Sequence, residues 1–110
     1  MENKEEMNLV EGIAVSGEAI EQRKDKTFTI AKGCYYTTFT DDQGKEKKKL
    51  VIPVKLSDGI ILDYFPNKTS IKTLVRRFDF DMNKWIGQKA EWEVSRQKIQ
   101  GVDKFVLYVK

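Results

Sequence analysis

The spacing between apolar residues changes twice along this chain, and those changes restrict its fold more than any other feature. Every second residue from Leu50 to Leu56 is a branched aliphatic side chain, which is the period of a strand with one buried face. From residue 71 to 78 the apolar positions lie three and four apart, as they do on one face of a helix. The two-residue period then returns in residues 90–94 and 105–109. The pattern predicts a β-rich chain with one helix before its last two strands.

The first strand is predicted to be long and bent. Residues 26–40 are rich in β-branched and aromatic side chains, and Gly33 lies where a bulge could reverse which side chains face the core. A shift of one residue there would exchange Tyr35 for Tyr36 on the outer surface. Pro53 in the next strand has no N–H to donate, so its nitrogen is expected at a bulge or an unpaired edge. Turn residues separate the strands at 41–44, 57–59 and 100–101.

The order of elements is strand, strand, strand, helix, strand, strand, with turn signals every eight to twelve residues. This order predicts a five-stranded OB-type barrel, all-β apart from a helix between strands 3 and 4, because OB-folds place their helix there. The 110 residues suffice for one domain, predicted over residues 9–110, behind a flexible tail of residues 1–8. Residues 9–20 are compatible with an edge strand or an extension of the first strand, whereas Gly12 and Gly17 argue against a helix.

The composition excludes several kinds of chemistry. The chain has no histidine and a single cysteine, Cys34, which rules out imidazole catalysis, an internal disulfide and a cysteine-cluster zinc site. No metal or other cofactor is predicted, and Cys34 is interpreted as a small buried hydrophobic residue. The net charge of +3 permits contact with a polyanion without requiring it. The polar, acidic start and the lack of a long apolar run predict a cytoplasmic protein with no membrane partner.

The segment that joins the third predicted strand to the fourth has a distinctive set of residues. They are Asn67-Lys68-Thr69-Ser70, then Leu74, Phe78 and Asp81, then Trp85-Ile86-Gly87-Gln88-Lys89. This set resembles a pattern in small phage-borne and archaeal OB-fold proteins, some of which are regarded as single-stranded DNA-binding. The resemblance covers Ile60 to Lys110, and it departs at Asp79 and Gln88, where the pattern has glycine and lysine. It implies fold more than function, because Trp85 and Gly87 look like architectural residues.

Lysines and aromatic side chains are interleaved in the second strand and its neighbours. A groove for single-stranded nucleic acid needs this combination, because ammonium groups replace counterions along the phosphates and flat rings stack bases at about 1–3 kcal/mol each. A solvated hairpin tip has the same composition, since lysines also keep an edge strand from pairing with other chains. The residues predicted to bind are Tyr35, Tyr36, Lys47, Lys49, Lys55 and Phe65 on the sheet and Arg96, Lys98 and Lys104 at the last hairpin.

The sequence thus favours a non-enzymatic module for single-stranded DNA or RNA, and it leaves two alternatives open. The first is a protein-interaction or assembly module, including a homo-oligomer, in which residues 9–20 or an open barrel edge pairs with another chain. The second is a metal-dependent nuclease, which requires carboxylates brought close together. The acidic residues available for it, whose spacing fits no compact ligand loop, are Asp63, Asp79, Asp81, Glu91 and Glu93.

Overall fold

The computed structural model describes residues 13–110, so the predicted tail of residues 1–8 and the first part of residues 9–20 lie outside the described residues. The described part is mostly antiparallel β-sheet with a small helical part, which confirms the β-rich class. None of its helices is long and apolar enough to cross a membrane. Its elements are α1 (Gly17–Glu21), β1 (Thr27–Ile30), β2 (Tyr35–Thr40), β3 (Glu46–Leu56), β4 (Ile61–Tyr64), α2 (Lys68–Arg77), a 3-10 helix (Met82–Trp85), β5 (Lys89–Ile99) and β6 (Val102–Val109).

The strands follow the order β2-β3-β1-β5-β6, and β4 pairs with β3. Strand β1 therefore joins the two halves of the sheet, since it pairs with β3 and with β5. The last hairpin turns at Gln100 and Gly101, both of which have positive φ, as a tight two-residue turn between antiparallel strands requires. Within residues 13–110 no ladder joins β4 to β6, so the sheet is not closed.

The first strand differs from its prediction. In place of one strand over residues 26–40, the structure has β1 and β2, separated by residues 31–34. Four residues lie between Ile30 and Tyr35, whereas two lie between their partners Val54 and Val51, so this side of the ladder carries two extra residues. Because the number of extra residues is even, side chains on β2 continue the alternation between core and outer surface that begins on β1. The reversal of this alternation considered for Gly33 does not occur.

Pro53 accounts for the position of the break. The backbone N–H and C=O of Asp63, its partner on β4, bond to Ile13 and Val15 and so point away from β3. The nitrogen of Pro53 consequently faces the break between β1 and β2, where no donor is needed. Its carbonyl oxygen accepts a hydrogen bond from the N–H of Ala31 at 2.8 Å. The Pro53 nitrogen, expected at a bulge or an unpaired edge, lies at an interruption of the neighbouring strand that contains two extra residues.

Helix α2 forms where the apolar spacing predicts it. Asn67 is the N-cap, and its side-chain oxygen accepts a hydrogen bond from the N–H of Ser70 at 2.9 Å. Leu74 is fully buried on the inner side of the helix. Two polar groups tie the helix to β6: the Asn67 amide donates to the carbonyl oxygen of Leu107 at 3.1 Å, and the Ser70 hydroxyl accepts from the N–H of Val109 at 3.0 Å. These bonds occupy backbone groups of β6 that are then not free to pair with another strand.

Helix α1 contradicts the argument from Gly17 against helical structure, whereas Gly12 lies outside the described residues. Ser16 is its N-cap and accepts a hydrogen bond from the N–H of Ala19 at 3.1 Å. Gly17 is the first helical residue, and a Cβ there would overlap the backbone carbonyl oxygen of Phe105 on β6. The prediction is wrong because the packing of α1 on β6 needs a residue without a side chain, which outweighs the weak helix propensity of glycine.

Residues 13–21 fill the space between the two edge strands β4 and β6. On one side Ala14 forms a parallel bridge with Asp63 of β4, where the N–H of Val15 donates to the carbonyl oxygen of Asp63 at 2.8 Å. On the other side α1 contacts β6 through Gly17. Ile20 of α1 lies in the core and is 1% exposed. The gap in the sheet is thus covered by the chain itself.

Aromatic side chains form the centre of the core. The ring of Phe28 stacks on that of Trp92 with centroids 4.2 Å apart, and Tyr64 meets Trp92 edge-on at 5.2 Å. The Tyr64 hydroxyl and the Trp92 indole N–H are buried without a hydrogen-bond partner among the described residues, and burial raises the pKa of Tyr64. Trp85 is also buried, and its indole N–H donates to the carbonyl oxygen of Asp79 at 2.8 Å.

Candidate nucleic-acid interface

The pairing register places most of the predicted binding residues on one side of the sheet. Tyr35 lies opposite Val51, Phe39 opposite Lys47, and Lys55 opposite Ile61. Directly opposed residues share a face, and every second residue of β3 shares that face too. Phe65 directly follows β4 and therefore lies beside Val51 on the same side. We call this surface the outer face; it carries Tyr35, Phe39, Lys47, Lys49, Lys55 and Phe65, together with one carboxylate, that of Asp63 opposite Pro53.

Lys49 lies between two aromatic rings at the centre of the outer face. Its Nζ is 4.5 Å from the ring centroid of Phe39 and 5.5 Å from that of Phe65. Such cation–π contacts are worth about 0.5–1 kcal/mol at exposed sites, which is enough to favour a position of the ammonium group over the rings. Tyr35 and Phe65 are 48% and 38% exposed, so both rings remain open to solvent. The arrangement presents a fixed positive charge beside flat apolar surfaces.

The floor of the outer face is apolar. Val51 and Pro53 point to this side of β3, yet both are buried, and Val51 is 1% exposed. Tyr35 on one neighbouring strand and Phe65 beyond the other flank Val51. The outer face therefore has a dry centre with lysines around it, which differs from a solvated hairpin tip.

The lysines of the outer face differ in how far their charge is already balanced. Lys47 forms an ion pair with Asp41 at 3.5 Å. The carboxylate of Asp41 also accepts hydrogen bonds from the N–H groups of Lys45 and Gln43, and the bond from Lys45 is the main reason why the pKa of Asp41 is lowered. Lys49 and Lys55 form no ion pair with any described residue.

Tyr36 is not part of the outer face. It pairs with Leu50 and so lies on the core side of β2, although its side chain is 60% exposed. Of the two adjacent tyrosines, the structure therefore brings only Tyr35 together with Lys49 and Phe65.

In the part of the chain that the structure describes, the three basic residues of the last hairpin are not joined to the outer face by direct strand pairing. Arg96 forms an ion pair with Asp103 at 2.9 Å, and Lys98 lies opposite the same aspartate. Lys104 pairs with Gln97, which puts it on the other side of the hairpin. In the described chain β5 and β6 share no ladder with β3 or β4, so no pairing joins this hairpin to Lys49 or Phe65.

Three of the five acidic residues considered for a nuclease, Asp79, Asp81 and Glu91, have structural partners. Asp79 accepts a hydrogen bond from the N–H of Asp81, which is the main cause of its lowered pKa, and Asp81 in turn accepts from the N–H of Asn83. Glu91 forms an ion pair with Lys110 at 3.5 Å. Across residues 13–110 no three acidic or cysteine side chains come together in a group that could hold a metal ion.

Cys34 is half-buried and packs against the core beside the break between β1 and β2. Burial raises the pKa of its thiol to about 11, so almost none of it is thiolate at neutral pH.

Sequence reasoning missed a second basic surface, which lies over β1. Two neighbouring depressions share Thr27 and Lys89, and one of them also includes Lys55 of the outer face. Arg77 at the end of α2 lines the other. We call this surface the basic trough. The alternation in β5 predicts that Lys89 points outward, but its neighbours come from β1, β3 and α2 and become visible only once the register is known.

Comparison of the chain with protein-family models, with curated proteins and with solved structures finds no match in any of the three. The function must therefore be argued from the geometry of these surfaces.

Proposed function

We propose that this chain is a non-enzymatic module that binds single-stranded DNA or RNA across its outer face. The observation that carries the proposal is the position of the Lys49 ammonium group over the rings of Phe39 and Phe65, with Tyr35 close by. Bases stack on the exposed rings of Tyr35 and Phe65, and Lys47, Lys49 and Lys55 meet the phosphates. Because every base has a π-face, this mode of binding discriminates weakly between sequences.

The order of the strands supports the proposal. We interpret β1 and β2 together as the first strand of an open OB-type barrel, with β3 and β4 as the second and third, and α2 before the last two. Proteins of this type bind oligonucleotides across strands two and three, which is where the outer face lies. The resemblance of residues 60–110 to small phage-borne and archaeal OB-fold proteins points the same way, and a cytoplasmic location is part of the proposal.

The two alternatives have less support. The assembly module needs residues 9–20 or an open edge of the barrel to pair with another chain. The described part of that segment bonds to β4 and buries Ile20. At the edge formed by β6, Asn67 and Ser70 already bond to the backbone of Leu107 and Val109. The nuclease needs converging carboxylates, and Asp79, Asp81 and Glu91 are instead held in turns and an ion pair.

The test is the fluorescence anisotropy of a labelled, mixed-sequence single-stranded oligonucleotide, as DNA and as RNA, titrated with the protein at several salt concentrations. Three phosphate contacts predict that log K falls against log salt with a slope of about −2. Phe65→Ala removes one stacking ring and is expected to raise Kd by about five-fold or more, the equivalent of at least about 1 kcal/mol. Lys49→Gln should weaken binding and reduce the salt slope by about 0.7.

The chain offers matched controls for both substitutions. Phe80, in the loop between α2 and the 3-10 helix, is 89% exposed, so Phe80→Ala removes an equal ring from a different place. Lys72→Gln removes an equal charge from an exposed position on α2. Both controls should bind as the unaltered protein does. Failure of the unaltered protein to bind at low salt, or an equal loss in Phe65→Ala and Phe80→Ala, would refute the proposal.

A further inference from the structure

We infer that a bound single strand continues from the outer face into the basic trough, where Lys55, Lys89 and Arg77 hold its phosphates. This inference rests on the proposed function and assigns the trough as a second contact region with a different chemistry. The outer face offers rings and lysines, whereas the trough offers cations and threonine hydroxyls without an exposed ring. It therefore suits the backbone of the strand and not its bases.

Three residues that the strand register places side by side form the floor of the trough. Lys55 of β3 lies opposite Thr29 of β1, and Thr29 lies opposite Lys89 of β5, so the three residues form one row across the sheet on the same side as Lys49. Two strand spacings, about 10 Å, separate the backbones at Lys55 and Lys89. The short side chain of Thr29 between two long lysines leaves a depression that both ammonium groups can reach.

The charge of the trough is available for a ligand. Neither Lys55 nor Lys89 forms an ion pair with a described residue. The two carboxylates nearby are already engaged: Asp25 accepts hydrogen bonds from the N–H and hydroxyl of Thr27, and Glu91 pairs with Lys110. Cations that form no ion pair within the protein give the larger gain when they replace the counterions of a phosphate chain.

Arg77 is held at the far end of the trough. Its Nη1 donates to the backbone carbonyl oxygen of Lys110 at 2.7 Å, which places the guanidinium group beside the depression that Lys89 also lines. A guanidinium group has five donors, so one bond to a carbonyl leaves others for a phosphate oxygen.

The two regions meet at Lys55, but the rings around Lys49 are far enough from Lys89 to need a long ligand. Lys55 lies six positions along β3 from Lys49, which is about 20 Å, and Lys89 lies about 10 Å further across the sheet. A path of this length lies within the range of about 4–16 nucleotides that one OB-type barrel occupies. An oligonucleotide of about four residues covers the outer face alone, and one of about twelve also reaches the trough.

The experiment compares Lys89→Gln with Lys72→Gln on three probes: a four-residue oligothymidine, a twelve-residue oligothymidine and a twelve-residue abasic strand. Lys89→Gln should lower the affinity for the twelve-residue oligothymidine by about three-fold at moderate salt and reduce the salt slope of its binding by about 0.7. The affinity for the four-residue probe should not change. The same substitution should lower the affinity for the abasic strand by a similar factor, because the trough contacts phosphates. Lys72→Gln should change none of the three.

The outcomes separate this inference from the proposed function. If the unaltered protein binds the oligothymidines but Lys89→Gln behaves like Lys72→Gln, the inference is wrong and the outer face stands. If Lys89→Gln weakens the short and long probes equally, it acts as a general charge and the inference is also wrong. If the unaltered protein binds neither oligothymidine, the proposed function fails and the inference fails with it.

Discussion

Replacing Gly17 with alanine is expected to detach α1 from the edge of β6. The added Cβ would overlap the backbone carbonyl oxygen of Phe105, which belongs to a paired strand and cannot move aside as a flexible side chain does. Either the contact stays overpacked, at about 1–3 kcal/mol, or α1 lifts away and exposes Ile20, whose burial is worth about 1.5–3 kcal/mol. The two routes together predict a loss of about 1–3 kcal/mol in the free energy of unfolding.

Urea denaturation measures this loss, and Gly33→Ala is the matched control. A Cβ at Gly33 would meet nothing closer than the Cδ1 atom of Ile86 at 4.0 Å, so this variant should remain within about 1 kcal/mol of the unaltered protein. The m-value separates the two routes, because overpacking leaves it unchanged and a detached α1 lowers it. If Gly17→Ala is as stable as Gly33→Ala, the contact between α1 and β6 does not hold the gap between β4 and β6 closed.

Two further predictions follow from ionisable groups. Since burial raises the pKa of the Cys34 thiol from its ordinary value of 9.0 to about 11, its thiolate fraction at pH 8 should be about 100-fold lower than in the unfolded chain. Alkylation by iodoacetamide should slow by that factor, and equal rates in folded and urea-unfolded protein would contradict the burial of Cys34. The pKa of Asp41 is lowered from 3.8 because backbone N–H groups bond to its carboxylate, so its contribution to stability is present above about pH 3.8 and is lost as the pH falls through the folded-state pKa. The urea midpoint should therefore drop on acidification from pH 7 to about 3 by less in Asp41→Ala than in the unaltered protein, and equal drops would count against this cause.

The regular parts of the fold could be predicted because their signals are local. The alternation from Leu50 to Leu56 and the capped helix after Asn67 each depend on neighbours within a few residues, and both are present as expected. Helix α1 could not be predicted in the same way. It has five residues, too few for a helical spacing of apolar residues to be recognised. It is held by a contact between Gly17 and Phe105, two residues that are far apart in sequence. A glycine that weakens a helix by propensity is here the residue that allows it to dock.

The sequence predicts which kinds of residue form the candidate site, but it does not predict which of these residues lie together on one face. Alternation along β3 correctly puts Lys47, Lys49 and Lys55 on one side, because a strand repeats every two residues. The choice between Tyr35 and Tyr36 depends on how many extra residues the break at 31–34 contains, and propensity does not encode that number. The position of Arg96 and Lys98 relative to the sheet depends on how two hairpins are oriented in space, which no local pattern reports.

The burial of both tryptophans allows the folding of this chain and the binding of a ligand to be followed by two different fluorescence signals. Trp85 and Trp92 lie in the core, so their emission should be blue-shifted and poorly quenched by acrylamide, and it should change when the chain unfolds. The rings of the outer face are tyrosine and phenylalanine, and a base stacked there would affect the emission of Tyr35 while leaving the indoles in the same surroundings. Tyrosine emission would then follow occupancy while tryptophan emission follows folding, in the same cuvette and without a label on the protein.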